Sequence, residues 1–307
     1  MLLSVIIVSL NTKDHLEKML TSLVAVKDQD SLDLIVVDIS STDGTVEMVK
    51  SRFPQVTLLE DVPNNGYGAS ANTGMTMAQG THFIVCNSDI VFPEGAVERI
   101  MSFLEEAGQD TLMGFKLEGP DGKMQRSAIG LPGRWDLVWM FSAIVNSKWK
   151  RIYRLGNYLP DWSYTERTPV GWVTGAAMAA SRSLYERLQG FDEEFFLFSE
   201  EVDLCKRVHD LGGQVLYAPE VSLIHVGRAT LPRGKQRTRW IAAGRARYTR
   251  KHFGHLVLFL ARIVAVFAYL SSVCYWLVRW MRRHMTWKRL VFKTQTLGGA
   301  LVEIWRV

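Results

Sequence analysis

The first 120 residues alternate uninterrupted apolar runs with amphipathic segments. The apolar runs are rich in β-branched residues, which is typical of strands that are covered on both faces. They read SVIIVSL from Ser4, LDLIVVDIS from Leu32, VTLLED from Val56 and THFIVCNSD from Thr81. Between them, DHLEKMLTSLV has apolar residues at helical spacing, at Leu16, Met19, Leu20 and Leu23, and STDGTVEMVKSRF and YGASANTGMTMAQG are also predicted to be helical.

This alternation predicts a parallel sheet with helices on both faces. Polar residues gather where the strands end, at Ser9, Asn11, Asp38, Asp61, Asn87 and Asp89. Because ligands of open α/β sheets bind outside the carboxyl ends of the strands, we expect these residues to line one crevice.

The alternation of strands and helices is no longer regular after Gly114. The segment EGPDGKMQ predicts a hairpin that turns at Asp121-Gly122. Residues 134–168 are rich in aromatic residues and arginine without a clear period, which predicts a long functional loop or a pair of irregular helices. The later segment GGQVLYAPEVSLIH predicts a pair of strands that ends at His225.

The composition bounds the class of protein. The chain has 307 residues and a net charge of +5, and its basic excess is concentrated after Arg228, which suits anionic lipid or nucleic acid. Its three cysteines form no CxxC pair, which argues against a disulfide framework and favours a reducing compartment. The apolar start lacks a basic region and a cleavage site, so we expect a first strand and not a signal peptide.

The tail carries an apolar run, Leu256–Val278, whose one charge is Arg262. The run is long enough to span a bilayer and is flanked on both sides by basic clusters. A single span, a helix lying in the membrane interface and a helix packed on the catalytic domain all remain open, and membrane association is favoured. Binding to nucleic acid is disfavoured, because such a run would make a poor solvated arm.

The first candidate catalytic residues are acidic. In FDEEFFLFSEEVDLCKRV, Glu200, Glu201 and Asp203 directly follow an aromatic block, as a catalytic base at the mouth of an apolar pocket requires. The first strand is not followed by GxGxxG, and no P-loop occurs, so nicotinamide chemistry is disfavoured. Asp89 suits either a Mg²⁺ or Mn²⁺ site or the cap of a helix that begins near Pro93. A lone histidine such as His225 is more often structural.

The sequence resembles the inverting family 2 glycosyltransferases of the GT-A fold, in the bacterial rhamnosyltransferase-like branch. The resemblance covers roughly residues 1 to 255 and rests on motifs in the family's order: SVIIVSLN, VVDISSTDGT, NNGYGASANTG, CNSD, GFDEEFFLFSEEVDLCKRV and IHVGRAT. It implies an α/β fold with a mostly parallel central sheet in a catalytic domain over residues 1–250. A helical, membrane-associated extension is then expected over residues 251–307.

The resemblance also implies the activity. Such enzymes move a sugar, here rhamnose, from a nucleoside diphosphate to a lipid-linked or polysaccharide acceptor during assembly of cell-surface glycans. The expected location is the cytoplasmic face of the inner or plasma membrane, without nucleic acid as a partner. The alternative is a non-catalytic protein that binds nucleotide sugars or glycans and retains the fold. The presence of Asp89, Glu201 and His225 argues against this alternative.

Site residues follow by matching motifs. Asn87-Ser88-Asp89 matches the family's DxD-like motif, so Asp89, with His225, is expected to bind Mg²⁺ or Mn²⁺. Asp38 matches the acid that binds the pyrimidine base, and it is free for this role if Ser40, Ser41 or Thr42 caps the helix near Gly44. The expected nucleotide-binding residues are Ser9, Asn11, Asp38, Asn65, Gly66, Asn72, Asn87 and Asp89.

The second acid of the family's ED motif is the general base and falls on Glu201, with Glu200 as the competing candidate. Asp203 is expected to interact with the dipole at the start of its helix. Trp172 and Gly175 match the segment that faces the sugar, although a core position for Trp172 is nearly as consistent with the sequence.

Overall fold

The structure, a computed structural model, describes residues 1–26, 28–145, 164–227 and 234–307. The described residues fall into two compact units. The first takes its described residues from Met1–Leu131, Pro160–Phe196 and Glu200–Thr230, and the second from Pro132–Leu159, Leu197–Ser199 and Leu231–Val307. Most of the aromatic segment 134–168 lies outside the described residues.

The helices of the described residues are α1 (Lys13–Val24), α2 (Thr45–Arg52), α3 (Tyr67–Met77), α4 (Ala96–Glu106), α5 (Arg134–Val145), α6 (Arg182–Leu188), α7 (Glu200–Asp210), α8 (Lys235–Met281) and α9 (Trp287–Arg306). The strands are β1 (Leu3–Ser9), β2 (Leu32–Asp38), β3 (Thr57–Leu59), β4 (His82–Asn87), β5 (Ile90–Val91), β6 (Thr111–Glu118), β7 (Met124–Gln125), β8 (Ala128–Ile129), β9 (Thr168–Pro169), β10 (Trp172–Val173), β11 (Ala177–Ser181) and β12 (Gln214–His225).

The first unit is built on one large sheet. Its strand order is β3-β2-β1-β4-β11-β6-β12-β5, with β7 on β6 and β9 on β12. The strands β3, β2, β1 and β4 are parallel, as the alternating pattern predicts, and β11 runs antiparallel between β4 and β6. Alternate residues of β1 enter two different core clusters, Val5 and Ile7 in one and Ile6 and Val8 in the other. Both faces of this strand are therefore covered, which explains its continuous apolar run.

Two predictions about the later strands have different outcomes. The hairpin is present, because β7 pairs with β6 and Gly122 adopts a positive φ of 71° in the turn. The predicted strand pair before His225 is wrong, since β12 is one strand with an irregularity between Ala218 and Ser222. Pro219 lies in that irregularity, and a proline cannot donate to the ladder, so the pairing shifts without a turn.

The second unit is helical. Val138 and Phe141 of α5 pack with Ala242 and Ala246 of α8. The long α8 contains one residue with non-helical backbone, Gly254, with φ 81° and ψ 177°. Among the described helices, α8 alone is long and apolar enough to cross a membrane. The domain boundary expected at residue 250 lies within this helix and stays a prediction.

Candidate active site

The carboxyl ends of β1, β2 and β4 meet at one edge of the sheet. Ser9 pairs with Asp38, and Val8 pairs with both Val37 and Asn87, so the predicted polar residues lie on neighbouring strands. Hydrogen bonds continue across this edge: the hydroxyl of Thr12 donates to Ser88 at 2.8 Å and lies 3.0 Å from the hydroxyl of Ser9. The β1 end is thus joined directly to the turn that precedes Asp89.

Asp89 is buried and faces the end of β12. Its Oδ1 lies 3.5 Å from Nε2 of His225, and its Oδ2 accepts a hydrogen bond from the Gly227 N–H at 2.9 Å. Burial alone would raise the pKa of Asp89, but the interactions with His225 and Gly227 outweigh burial and hold it below its usual value. The capping alternative for Asp89 is wrong, because α4 begins at Ala96 after Gly95 and has no side-chain cap.

Gln125 fixes the orientation and the tautomer of His225. The Gln125 Nε2 donates to the His225 carbonyl at 2.7 Å, so its Oε1 must be the atom that faces Nδ1 of the ring, also at 2.7 Å. Because an amide oxygen can only accept, Nδ1 must carry the proton. A protonated ring therefore also donates from Nε2 toward Asp89, whereas in the neutral ring, the form that binds a metal, the lone pair is on Nε2. A second partner of this kind commonly orients a metal-binding histidine.

The residues at this position fit a divalent ion. Two ligands on neighbouring positions of an octahedral Mg²⁺ lie about 3 Å apart, close to the 3.5 Å between Asp89 and His225. Within the described residues, no group of three His, Cys, Asp or Glu side chains is suited to hold a metal. A two-residue site is nonetheless compatible with Mg²⁺, which in nucleotide enzymes takes one or two carboxylates and completes its shell with phosphate oxygens and water.

Asp38 is fully buried and interacts with the turn that follows β2. Its two carboxylate oxygens accept from the backbone N–H and the hydroxyl of Ser41, at 2.8 and 2.7 Å. The expectation that a serine or threonine caps α2 and leaves Asp38 free is wrong. Gly44 occupies the cap position without a side-chain bond, and Ser41 binds Asp38 instead. Asn11 supports the same turn, because its Oδ1 accepts from the Thr42 N–H at 2.8 Å.

The glycine-rich segment contacts the loop that leads to the acids. A Cβ on Gly66, whose φ is 108°, would lie 2.3 Å from the carbonyl oxygen of Phe196, and that oxygen accepts from Tyr67. Asn72 bonds the same loop on three atoms: it accepts from the Phe191 N–H and donates to the Phe191 carbonyl and to Glu193. Asn65 is exposed beside them. The close backbone approach is therefore to residues 191–196, and contact with a nucleotide stays a prediction.

Gly175 connects the two sides of the site. A Cβ on Gly175 would lie 3.4 Å from Cβ of Glu201, and its carbonyl accepts from the Tyr67 hydroxyl at 3.0 Å. The next residue, Ala176, accepts from the Asn87 N–H at 3.0 Å. A two-residue segment thus touches both the acidic end of α7 and the strand end that precedes Asp89.

Glu200 and Glu201 differ in exposure. Glu200 is 5% exposed, whereas Glu201 is half-buried at the start of α7, and one carboxylate oxygen of each, Oε2, is shielded from solvent. Burial, and next the neighbouring Glu201 carboxylate, raise the pKa of Glu200 well above its usual value. Asp203 lies in the first turn of α7 as expected, but its carboxylate also pairs with Arg207 at 2.8 Å, and Arg207 in turn binds the Gly190 carbonyl.

Trp172 is half-buried in the short pair formed by β10 and β8, three residues before Gly175.

Sequence reasoning missed Thr12, Ser88, Tyr67 and Gln125. Tyr67 and Ser88 stand inside motifs that were recognised, so their positions were a usable signal. Gln125 had none beyond its place in the predicted hairpin.

Comparison with known proteins agrees with this architecture. N-acetylglucosaminyl-diphospho-decaprenol L-rhamnosyltransferase of Mycobacterium tuberculosis (strain H37Rv) is 28% identical over 236 residues, which are 73% of this chain and 75% of that protein. Rhamnosyltransferase WbbL of Escherichia coli (strain K12) is 24% identical over 232 residues, 72% of this chain and 82% of that protein. The mannosyltransferase PcManGT from Pyrobaculum calidifontis, solved with GDP-Man and Mn²⁺, superimposes with a TM-score of 0.58 at 16% identity, covering 99% of this chain and 86% of that chain.

The structural likeness establishes the GT-A fold. The family model described as glycosyl transferase family 2 matches residues 4–159, which include β1, Asp38, the glycine-rich segment and Asp89. With this match over half of the sequence, the chain belongs to glycosyl transferase family 2 and is a glycosyltransferase.

Proposed function

We propose that the protein is an inverting glycosyltransferase that moves rhamnose from a nucleoside diphosphate to a lipid-linked acceptor during assembly of a cell-surface glycan. The rhamnose and the acceptor class rest on the similarity to the decaprenol-linked and WbbL rhamnosyltransferases. The observation that carries the proposal is the connection through Gly175 and Ala176, which holds Glu201 close to the strand end that leads to Asp89 and His225.

Glu201 is the proposed base. It takes the proton of the acceptor hydroxyl while the hydroxyl oxygen attacks the anomeric carbon, and the bond from that carbon to the diphosphate oxygen breaks on the opposite face. Its smaller burial at the start of α7 supports this role, whereas the nearly complete burial of Glu200 does not. Since attack and departure occur on opposite faces, the product has the inverted anomeric configuration.

Asp89 and His225 are the proposed ligands of Mg²⁺ or Mn²⁺, and Gln125 orients His225. When bound, such an ion offsets the negative charge that grows on the leaving diphosphate. The donor side comprises Ser9, Asn11, Asp38, Asn65 and Asn87, while Gly66 and Asn72 act through the loop at 191–196 that they hold. Trp172 and Gly175 are proposed to face the sugar.

The proposed location is the cytoplasmic face of the membrane, where a lipid-linked acceptor is accessible. The exposed apolar residues of α8 support membrane association. The expected partners are thus a nucleotide sugar, a lipid-linked acceptor and the lipid surface.

The test is transfer from thymidine-diphospho-rhamnose to a short, soluble analogue of a diphospho-linked N-acetylglucosamine acceptor, with Mg²⁺ or Mn²⁺ added. Glu201→Gln should abolish transfer and keep donor binding, because the amide retains the shape but takes no proton. Glu200→Gln is the matched control and should retain most of the activity. Inactive Glu200→Gln beside active Glu201→Gln would reverse the assignment, and full activity in a chelator would refute the role of the metal.

A further inference from the structure

The part of α8 that follows Gly254 has one exposed face that is apolar up to the last residue of the helix, Met281. Leu256, Phe267 and Met281 are 71%, 68% and 66% exposed. We call the following set the apolar stripe, because its members recur at helical spacing and none is charged: Leu256, Phe259, Ile263, Phe267, Leu270, Cys274, Leu277, Val278 and Met281. Over these residues the helix rises about 38 Å.

The opposite side of α8 is covered by α9. Ala261, Ala265 and Ala268 of α8 are buried in clusters that include Leu297 and Ala300 of α9. At 3.6 residues per turn, these alanines lie about half a turn away from the apolar stripe. The stripe is therefore the face of the helix pair that α9 leaves exposed.

The part of α8 that follows Gly254 is antiparallel to α9 and in contact with it along most of its length. Arg262 Nε donates to the Ile304 carbonyl at 3.2 Å, and a Cβ on Gly298 would lie 3.6 Å from the Tyr269 hydroxyl. Toward the other end, Lys293 Nζ lies 5.0 Å from the ring centre of Trp276. Arg262, the one charge of the apolar run, is thus held against α9.

This register disfavours a membrane span by α8. If α8 crossed a bilayer, α9 would lie at the same depth beside it. Lys293, Glu303 and Arg306 of α9 would then enter the hydrocarbon, together with Arg239, which pairs with Glu303 at 2.7 Å. Charged side chains inside a bilayer are costly and rare. The pair could span only by separating, which would undo the packing of its buried alanines.

A basic and aromatic cluster lies at one end of the stripe. Its exposed cations are Arg279, Arg282, Arg283, Lys288 and Arg289. Between them, the rings of Trp280 and Trp287 lie 5.4 Å apart and are 40% and 58% exposed. Tryptophan and cations gather at membrane–water interfaces, where anionic headgroups attract the basic side chains.

We propose that the part of α8 that follows Gly254 lies in the plane of an anionic phospholipid surface, with the apolar stripe at the boundary of headgroups and acyl chains and α9 on the water side. Helices of this kind enter a bilayer by about 5–10 Å. The proposal rests on the membrane location proposed above but not on the identity of the donor or the acceptor.

The first test measures sedimentation of the full chain with vesicles of phosphatidylcholine, with or without phosphatidylglycerol. Phe259→Gln combined with Phe267→Gln should weaken partition into both kinds of vesicle at least tenfold. The control Leu211→Gln, at a residue that is 52% exposed in the first unit, should leave partition unchanged. Arg282→Gln combined with Arg283→Gln should weaken the preference for the anionic vesicles and leave binding to the neutral vesicles unchanged. Unchanged partition of the stripe variant would overturn the proposal.

The second test measures depth. Leu256→Cys, Phe267→Cys and Met281→Cys, each with Cys274→Ala, carry a fluorophore that is quenched by lipids labelled at different depths. Equal, shallow depth at all three positions supports the proposal. A probe at position 267 near the midplane, with 256 and 281 on opposite sides, would overturn it and leave the membrane location intact. Self-association through the stripe without binding to vesicles would overturn both.

Discussion

Gln125 offers the sharpest test of the metal site, because its substitution changes the ring of His225 without touching a proposed ligand. Gln125→Leu keeps a similar volume and removes both 2.7 Å hydrogen bonds to His225. A neutral hydrogen bond contributes about 1 kcal/mol net, so the variant loses about 2 kcal/mol of the free energy that holds the His225 ring in its orientation. At 1.4 kcal/mol per factor of ten, this corresponds to roughly 30-fold weaker binding of the ion. The figure falls within the 10–100-fold range that is typical for loss of such a partner.

Two measurements check this expectation. Calorimetry gives the affinity for Mn²⁺ in the presence of thymidine diphosphate. Long-range ¹⁵N–¹H spectra of the metal-free protein report which ring nitrogen of His225 carries the proton. The chain has seven histidines, so the signal is assigned by its loss in His225→Ala.

Gln125→Glu is the matched variant. Its carboxylate still accepts from Nδ1, so the tautomer should persist, while the bond to the His225 carbonyl is lost. A purely structural role for Gln125 would leave the tautomer unchanged in both variants. If Gln125→Leu keeps the proton on Nδ1 and binds Mn²⁺ as tightly as the wild type, the reasoning is wrong.

Two further predictions concern Glu200 and Gly66. Because the folded pKa of Glu200 is raised above 4.5, the stability gained by keeping this carboxyl protonated is present at low pH and is lost as the pH rises through that raised value. Glu200→Gln should therefore increase the melting temperature more at pH 8 than at pH 5, and a difference independent of pH would contradict this. Gly66→Ala should lose roughly 1–3 kcal/mol more than the control Gly95→Ala in urea unfolding. Both glycines have positive φ, but only the Cβ at position 66 meets backbone, and equal losses would count against this contact.

The parallel half of the sheet could be predicted because its strands are buried on both faces. Such strands appear in the sequence as nearly continuous apolar runs, and all seven residues of β1 are buried. The pair of strands predicted in place of β12 was wrong, because a local pattern carries no signal for a bulge that is stabilised by pairing with β6.

In the candidate active site, too, local sequence patterns predict the residues of motifs but not contacts between distant segments. Asp89 and His225 could be matched to motifs, and the structure brings them within 3.5 Å. Gln125, by contrast, lies 100 residues from His225 in sequence, and the contact depends on how the hairpin β6–β7 lies beside β12. The cap predicted from Ser40, Ser41 or Thr42 was wrong for a different reason: the buried Asp38 carboxylate binds the nearest donors, and those are on Ser41.

The adjacent acids at the start of α7 illustrate why neither a motif nor a structure alone identifies a base. Two neighbouring carboxylates repel each other, so the more buried one should remain protonated while the other ionises. Burial, and next the neighbouring carboxylate, raise the pKa of Glu200, so Glu200 keeps its proton to a higher pH than an ordinary glutamate does. Where Glu200 keeps its proton it cannot accept another, which leaves Glu201 as the proposed base. A glutamine is a neutral side chain with the shape of a protonated Glu200. Transfer activity should therefore tolerate Glu200→Gln.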